Sequence, residues 1–483
     1  MSLLPRSSTD RLLGNIDRYS DVDEHSISTS MDYRVVLGDP ERRNQVEKKL
    51  LRKLDIRVLF LVFLYTVNCI DRTNMAAARL QGLEEDLHLT GQQFNTLIGI
   101  LFIGYMPMQI PSPSLYLSYC TFLWGIFTIW TGIATSFRTA LVPRFFLGFV
   151  EATYYPGAVF ILSRWYKPHE LGSRMVYFTC GNAASKVFGP LIASGILTTM
   201  DGILGCAAWR WLFFIEGLLT CLAAAVALNL IPDFPSTLAP WLTTEEQILA
   251  QQRMVEDLCD VENDPPKGVQ RSGLAEALAD WTVWWLAIAL AFLNTMTSFE
   301  NFFPTLVATM GYGPTVSLLL CSPPWILGAV TSLFVMRHSD ATRERFWHTT
   351  GPALMAAIGF IISTLTMNTA IRYLSLFFMA QSLVSFIIAM TWLNNSIPES
   401  SSKRAVAIAF VNAFSGFGDI GGSYIWVASW GPSYSKSYLI CVFAAMTTIM
   451  MLWVYRIHLI ELNKNAEMNE RTLGLTAGFR YIT

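Results

Sequence analysis

Residues 57–79 read RVLFLVFLYTVNCIDRTNMAAAR. The apolar run from Val58 to Ile70 is only 13 residues long, whereas a helix needs about 20 residues to cross the hydrocarbon core of a bilayer. The helix must therefore continue through Asp71 and Arg72 into the alanines that follow, which buries both charges in the membrane. Because a charge at mid-bilayer costs roughly 2.5–3.5 kcal/mol, we expect both side chains to face a polar interior.

A second apolar segment, residues 140–162, carries Arg144 and Glu151. These two residues are seven positions apart, which is about two helical turns, so they lie on one face of the helix. The four buried charges together cost about 10–14 kcal/mol, as much as the whole stability of a typical protein. Such charges persist only when they pair with each other or with a ligand. The pattern predicts a transporter whose working groups are two acids and two arginines.

The amino-acid composition of the chain indicates a membrane protein. Of its 483 residues, 53% are hydrophobic and 14% are charged, against roughly 25% charged in soluble proteins. A net charge of −2 gives no reason to expect nucleic acid as a partner. The eight cysteines and six histidines are scattered, and we find no metal-ligand spacing, phosphate loop or nucleophile–base set. We therefore expect no metal, no cofactor and no catalytic residues, and the chain is not predicted to be an enzyme.

Twelve helix-length apolar segments fall into two sets of six around a polar stretch. The spans are 57–79, 93–111, 115–136, 140–162, 174–199, 210–231, 282–304, 314–336, 349–367, 372–392, 405–427 and 436–457. This order predicts an all-α polytopic membrane protein with two parallel six-helix repeats around a cavity. The expected domains are a disordered N-terminal tail (1–56), an N-terminal bundle (57–231), a central linker (232–280), a C-terminal bundle (281–458) and a C-terminal tail (459–483).

Basic residues in the short loops predict the orientation. One set of loops carries Arg164, Lys167, Arg174, Arg337, Arg343, Arg345, Lys403 and Arg404. The other set carries little beyond Arg79, Arg138, Arg372 and Lys436. We therefore expect the first set, the linker and both termini to be cytoplasmic, with the first span acting as the membrane anchor.

The four charges suggest a coupling mechanism. When the cavity is empty, Asp71 and Glu151 would neutralise the arginines. An entering organic anion would take the guanidinium donors of Arg72 or Arg144 for itself, and the displaced carboxylate would take up a proton. Anion and proton would then cross together. The alternative is that these pairs are structural ion pairs between helices and never change protonation state.

Other residues carry weaker predictions. We expect Glu216 to form a structural ion pair with Arg210, and Asn394 and Asn412 to donate hydrogen bonds to a substrate. Glu300 and Asp419 are intramembrane acids that either tune coupling or are held structurally. Gly189 and Pro190 allow close packing and bending of the fifth span.

Several stretches together resemble a known family. They are YTVNCIDRTNMAAA (65–78), RFFLGFVEATYYPGAVFILSRWY (144–166), WRWLFFIEGLLT (209–220), SDATRER (339–345) and SKRAVAIAFVNAF (402–414). This set is similar to the anion:cation symporter family of the major facilitator superfamily, and within it to the fungal allantoate and nicotinate permease branch. The resemblance covers roughly residues 50–460.

The resemblance implies the major facilitator fold and proton-coupled transport of a small organic anion. By this likeness Asp71 and Glu151 are coupling acids, Arg72 and Arg144 are substrate or gating residues, and Asn412 contacts substrate. The stretch with Asp340, Arg343 and Arg345 resembles the family's gating latch, although topology alone also explains basic residues there. By analogy with the fold we expect a monomer, in the plasma membrane.

The chain departs from the family pattern at three places. The loop MQIPSPSLYL (108–117) between the second and third spans is about ten residues shorter than usual. Glu300 stands where an uncharged residue is usual. The eleventh span has Gly416 where an asparagine is usual, and an additional acid at Asp419.

These observations predict a proton-coupled carrier of a small carboxylate, vitamin-like or ureide-like. Two alternatives stay open. One is an exporter of a secondary metabolite with the same fold. The other is a nutrient receptor that kept the fold and lost transport. Flux measurement separates the receptor, because a receptor binds its ligand without accumulating it.

Overall fold

A computed structural model describes residues 40–108, 114–231, 235, 237, 239, 241–262, 273–396, 401–473, 478 and 480–483. All regular structure within these ranges is helical, and no strand occurs among them. Most of the shortened loop between the second and third spans lies outside the described residues.

The first half contains eight α-helices. They are α1 (Pro40–Arg79), α2 (Leu83–Asp86), α3 (Gln93–Tyr105), α4 (Ser114–Ile133), α5 (Phe137–Glu151), α6 (Tyr154–Trp165), α7 (Pro168–Thr199) and α8 (Ala208–Leu230). Short 3₁₀ turns occupy Met106–Met108 and Ile203–Gly205. As predicted, α1 runs without a break through Asp71 and Arg72.

The remaining chain contributes ten α-helices. They are α9 (Thr244–Glu262), α10 (Gly273–Ala279), α11 (Trp281–Thr297), α12 (Phe303–Ala308), α13 (Pro314–Thr342), α14 (Phe346–Leu365), α15 (Thr369–Met379), α16 (Ser382–Asn395), α17 (Ser401–Tyr424) and α18 (Ser435–Leu473). A 3₁₀ turn over Ser298–Phe302 joins α11 to α12, and another covers Ala428–Trp430.

Helices occupy all twelve predicted spans. Among the described residues, seven of these helical segments are long and apolar enough to cross a membrane. They are 137–165, 208–230, 281–308, 314–342, 346–365, 369–394 and 435–472. The first span does not qualify by this criterion because Asp71 and Arg72 lower its apolar content. Mean hydropathy along the sequence therefore misses a membrane span whose charged side chains face the protein interior.

Two predicted polar regions are more ordered than expected. The tail predicted to be disordered up to residue 56 is helical from Pro40 onward, and the predicted linker contains the 19-residue helix α9. Residues 1–39 lie outside the described range. Residues 40–56, 164–167 and the described part of 234–264 form one compact unit, and the other residues form a second.

The smaller unit is held by ion pairs between the start of α1 and α9. They are Arg42–Glu245 at 2.9 Å, Arg43–Glu256 at 2.7 Å, Lys53–Glu246 at 2.6 Å and Arg253–Glu47 at 2.8 Å. The rings of Trp165 and Trp241 pack 5.5 Å apart in the same unit. These ion pairs surround a small apolar cluster of Val46, Ile248 and Leu249 between the two helices.

In the larger unit, the membrane-spanning helices of each half pack on one another. In the first half, α3 packs on α5 and α4 packs on α8; in the second half, α11 packs on α17 and α18. The two halves meet where α7 contacts α13 and where α3 contacts α17. Small residues permit the closest crossings: a Cβ atom at Gly148 would lie 1.9 Å from the Leu101 carbonyl oxygen.

Two polar contacts between the halves lie at one end of the helices. The Asn95 amide donates to the Trp426 carbonyl at 3.1 Å, and the Ser194 hydroxyl donates to the Thr315 carbonyl at 3.4 Å. This end, which we call the closed end, carries the loops that follow α1, α7 and α17.

Candidate functional site

The centre of the larger unit holds eight ionisable side chains, which we call the central ionic cluster. They are Asp71, Arg72, Arg144, Glu151, Lys186, Glu216, Glu300 and Asp419. The sequence predicted a role for all of them except Lys186. Buried charges need partners, so we describe the partners of each.

Asp71 accepts hydrogen bonds from three side chains. The indole N–H of Trp124 and the hydroxyl of Thr128, at 3.3 Å, both donate to Oδ2. The Asn74 amide nitrogen donates to Oδ1 at 3.3 Å. Asp71 is 1% exposed, and none of these partners is a cation, so neutral dipoles hold this carboxyl.

Asn74 links Asp71 to a second acid. Its amide nitrogen also donates to Oε2 of Glu216 from α8, whereas Oε1 of Glu216 is buried without a hydrogen-bond partner. The predicted ion pair between Arg210 and Glu216 is therefore wrong. Arg210 instead donates to the carbonyls of Gly132 and Ala134, at 2.9 and 2.8 Å, where α4 ends.

Arg72 and Glu151 form an ion pair inside the first half. The Arg72 Nε–H donates to Oε2 of Glu151 at 3.0 Å, and Nη2 donates to Oδ1 of Asn68 at 3.2 Å. The guanidinium also lies over the Tyr105 ring, 4.5 Å from its centroid. The other carboxylate oxygen of Glu151 is buried and accepts no hydrogen bond. Glu151 is the last residue of α5, where the helix breaks before α6 begins at Tyr154.

Arg144 is buried without a hydrogen-bonded partner. It is 1% exposed, and both Nε and Nη1 lack an acceptor. A buried guanidinium with unused donors is costly. The sequence predicted that a carboxylate would neutralise each arginine directly, and for Arg144 no such contact forms in the described structure. Its donors are the most available anion-binding groups of the cluster.

Lys186 and Glu300 form a second ion pair, which bridges the two halves. The Lys186 ammonium of α7 donates to Oε2 of Glu300, which lies in the 3₁₀ turn between α11 and α12. The ammonium also lies over the Trp325 ring of α13, 4.6 Å from its centroid. The sequence interpretation missed Lys186, although a lysine inside the predicted span 174–199 is as costly as Asp71 or Arg144.

A small pocket adjoins this second pair. Its lining includes Thr73, Asn74, Lys186, Glu300, Cys321 and Trp325. Gly189 and Pro190 also line it, and a Cβ atom at Gly189 would lie 3.4 Å from the Ile70 side chain. The small residues of α7 thus bring that helix against the charged turn of α1.

Asp419 joins the cluster from α17. Its Oδ2 accepts a hydrogen bond from the Asn294 amide at 2.8 Å, and it interacts electrostatically with Arg72 and Glu300. Asn412 is half-buried two turns earlier in α17, and its side chain makes no hydrogen bond to any described residue. Asn394 is exposed in the last turn of α16, outside the cluster.

The latch-like residues lie at the junction of α13 and α14. Arg345 donates to Asp340 at 2.5 Å and to the Ser339 hydroxyl at 2.9 Å. Arg343 is exposed and has a positive φ of 51° where α13 ends. The acid and one of the two arginines therefore pair with each other, away from the central ionic cluster.

The fold and the cluster define a class: a multi-pass membrane transporter with ionised groups in its interior. The profile of the Major Facilitator Superfamily matches residues 61–423, and the chain belongs to this superfamily. The solved structure of a D-xylose–proton symporter superposes with a TM-score of 0.63 at 13% identity, over 82% of this chain and 97% of that chain. The major facilitator fold predicted from the sequence is confirmed.

Curated relatives extend the likeness. The MFS-type transporter cnsO of Penicillium expansum is 32% identical over 430 residues, which cover 84% of this chain and 82% of that protein. A putative tartrate transporter of Agrobacterium vitis is 29% identical over 328 residues, or 65% of this chain and 71% of that protein. The function of the class, transport of a small molecule across a membrane, follows from this membership.

Proposed function

We propose that this protein carries a small organic anion together with protons by alternating access, as a member of the anion:cation symporter family and its allantoate and nicotinate permease branch. The observation that carries the proposal is Arg144. A fully buried guanidinium whose Nε and Nη1 have no acceptor is stabilised when carboxylate oxygens bind its free donors. The putative tartrate transporter among the relatives supports a carboxylate as the substrate class.

The charge balance of the central ionic cluster supports proton coupling. Its carboxyl groups outnumber its cations, five to three. An additional anion would be repelled if every carboxyl were ionised. Protonation of acids in the cluster removes this repulsion, so protons and the anion favour each other's binding. Glu151 is the main candidate for the coupling acid because it pairs with Arg72 and interacts electrostatically with Arg144, where we propose that the anion binds.

The closed end supports an assignment of the conformational state. If both termini are cytoplasmic, as the basic loops favour, the end closed by Asn95 and Ser194 faces outward. This end would then be shut in the present conformation and would need to open to complete a cycle. We propose that the protein works in this way as a monomer in the plasma membrane.

The test is uptake of labelled carboxylates into proteoliposomes under an inward proton gradient. We expect gradient-driven accumulation by the native chain and its loss in Glu151→Gln, whereas counterflow exchange, which needs no net proton movement, persists. Glu461→Gln, a change of an exposed glutamate in α18, is the matched control and should behave as native. Arg144→Lys should lose both activities, because a lysine keeps the charge but not the fork of donors.

The outcomes separate the alternatives. Accumulation that is insensitive to the proton gradient would disprove coupling and keep transport. Saturable binding without accumulation by the native chain would replace the transporter with a receptor. Retained accumulation in Arg144→Lys would remove Arg144 as the anion site.

A further inference from the structure

We propose that Lys186 forms a second anion subsite, occupied by Glu300 when the cavity is empty, so that the substrate is a compact dicarboxylate. This inference rests on the proposed function and specifies that the substrate carries two negative charges. The first carboxylate would bind the arginines of the first half, and the second would replace Glu300 at the Lys186 ammonium.

The ammonium of Lys186 is available to such a ligand. Lys186 is 9% exposed, and an ammonium carries three donors. Within the described residues, Glu300 is its one hydrogen-bond acceptor, and the Trp325 ring covers another side. Both Lys186 and Glu300 line the same pocket. A buried cation with unused donors at a pocket wall is suited to an anion.

The second ion pair repeats the design of the first. In each, a continuous helix supplies the cation, Arg72 from α1 or Lys186 from α7. In each, the carboxylate stands where a helix breaks, Glu151 at the end of α5 or Glu300 in the 3₁₀ turn. Helix breaks at mid-membrane free backbone groups and mark ligand sites in transporters. If a substrate carboxylate replaces Glu151 at Arg72, the same physical argument allows a substrate carboxylate to replace Glu300 at Lys186.

Lys186 lines the pocket, whereas Arg72 lies near it on α1 without lining it. Both cations interact electrostatically with Cys69 of α1. Lys186 precedes Gly189 by about one helical turn, and a Cβ atom at Gly189 would lie 3.4 Å from Ile70 and 3.8 Å from Thr73. Arg72 lies in the same turn of α1, between these two contacts. One small molecule with an anionic group at each end is therefore the ligand that this arrangement fits.

Occupation of the second subsite also acts on the contact between the halves. Lys186 belongs to the first half, whereas Glu300 and Trp325 belong to the second. A substrate carboxylate at Lys186 removes an ionic contact between the halves and leaves Glu300 free to take up a proton. Substrate binding thereby weakens an interaction that must break when the closed end opens.

The experiment compares succinate with succinamate, its monoamide of nearly equal shape and one charge less. Counterflow exchange in proteoliposomes is measured for the native chain, Lys186→Met, Lys186→Arg and Glu300→Gln. We expect native half-saturation for succinate to be about tenfold or more lower than for succinamate, because a charge-assisted hydrogen bond distinguishes them. Lys186→Met should reduce this ratio toward one, and Lys186→Arg should retain most of it. Glu300→Gln should lower the half-saturation for succinate, because the competing carboxylate is gone.

The ratio of the half-saturation concentrations for succinamate and succinate tests the second subsite separately from anion transport. Exchange of carboxylates with no preference for succinate, or a preference unchanged in Lys186→Met, would overturn the second subsite and leave anion transport intact. If Lys186→Met does not fold, as shown by size-exclusion chromatography, the response of Glu300→Gln decides, and an unchanged succinate half-saturation overturns the inference. Absence of exchange for every carboxylate would overturn both proposals.

Discussion

Asn74 organises the acids of the first half although no pattern in the sequence singled it out. One amide nitrogen donates to both Asp71 and Glu216, which come from helices far apart in the chain. Arg210 is close to Glu216 in sequence but satisfies the last carbonyls of α4 instead. Helix ends leave carbonyls that need donors, and this demand outweighs the attraction between two residues of one helix.

A double-mutant cycle tests this arrangement. We expect the destabilisation by Arg210→Met and by Glu216→Gln to add within about 0.5 kcal/mol, because the two side chains share no contact. Asn74→Ala and Glu216→Gln should instead show a coupling of roughly 0.5–3 kcal/mol. Urea unfolding in detergent, followed by circular dichroism, gives the four free energies of each cycle. Strong coupling between Arg210 and Glu216 would restore the ion pair that the sequence predicted.

Gly148 provides a second prediction for a single residue. A Cβ atom there would lie 1.9 Å from the Leu101 carbonyl oxygen, so Gly148→Ala forces α3 and α5 apart. We expect a loss of about 1–3 kcal/mol in the free energy of unfolding, the usual effect of overpacking. Gly195→Ala is the matched control, because a Cβ atom there meets no atom within 4 Å. Equal thermal midpoints for both variants would contradict the close crossing.

Among the elements, α9 shows how a polar segment becomes ordered. Its acids face arginines and lysines at the start of α1, and Glu256 accepts from Arg43 at 2.7 Å and Lys167 at 3.5 Å. Burial opposes ionisation of Glu256, but the hydrogen bond and charge of Arg43, helped by Lys167, hold its pKa below the ordinary value of 4.5. An ionised Glu256 therefore stabilises the smaller unit.

This pKa shift predicts an acid-labile smaller unit. Because the pKa of Glu256 is lower in the folded state than in the unfolded state, its stabilisation is complete above about pH 4.5 and is lost as the pH falls below it. Hydrogen–deuterium exchange over residues 244–262, corrected for the intrinsic pH dependence of exchange, should rise in this range. Glu256→Gln should raise exchange at pH 7 and flatten the acid response, with a loss of up to about 1 kcal/mol per ion pair. If exchange in Glu256→Gln rises at low pH as much as in the native protein, groups other than Glu256 cause the acid lability.

For the whole molecule, alternating access requires the contacts at the closed end to break. The Ser194 hydroxyl lies 3.4 Å from the Thr315 carbonyl, across the two halves. A disulfide between cysteines at these positions should hold this end shut and abolish net uptake, with recovery after reduction. The matched control joins Ser363 and Ser375, whose hydroxyls are 2.6 Å apart within the second half.

Uptake into proteoliposomes oxidised with copper phenanthroline is compared between the two cysteine-pair variants. Mass spectrometry of the cross-linked peptides confirms each disulfide. We expect the control bond to leave uptake near the native rate, because it joins helices that move together. Full uptake with the Ser194–Thr315 positions bonded would mean that these helices stay together throughout transport.

The sequence by itself determined the class, the twelve helices and most of the charged residues. Hydrophobic length and the cost of intramembrane charge act locally along the chain, so Asp71, Arg72, Arg144 and Glu151 could be found without a structure. Only the tertiary structure decided the partners. Asn74 joining two acids, Lys186 meeting Glu300 across the halves, and Arg144 left without an acceptor all depend on which helix faces are adjacent. Hydrogen bonds act over about 3 Å, and residues more than a hundred positions apart reach that distance only through the packing of the helices.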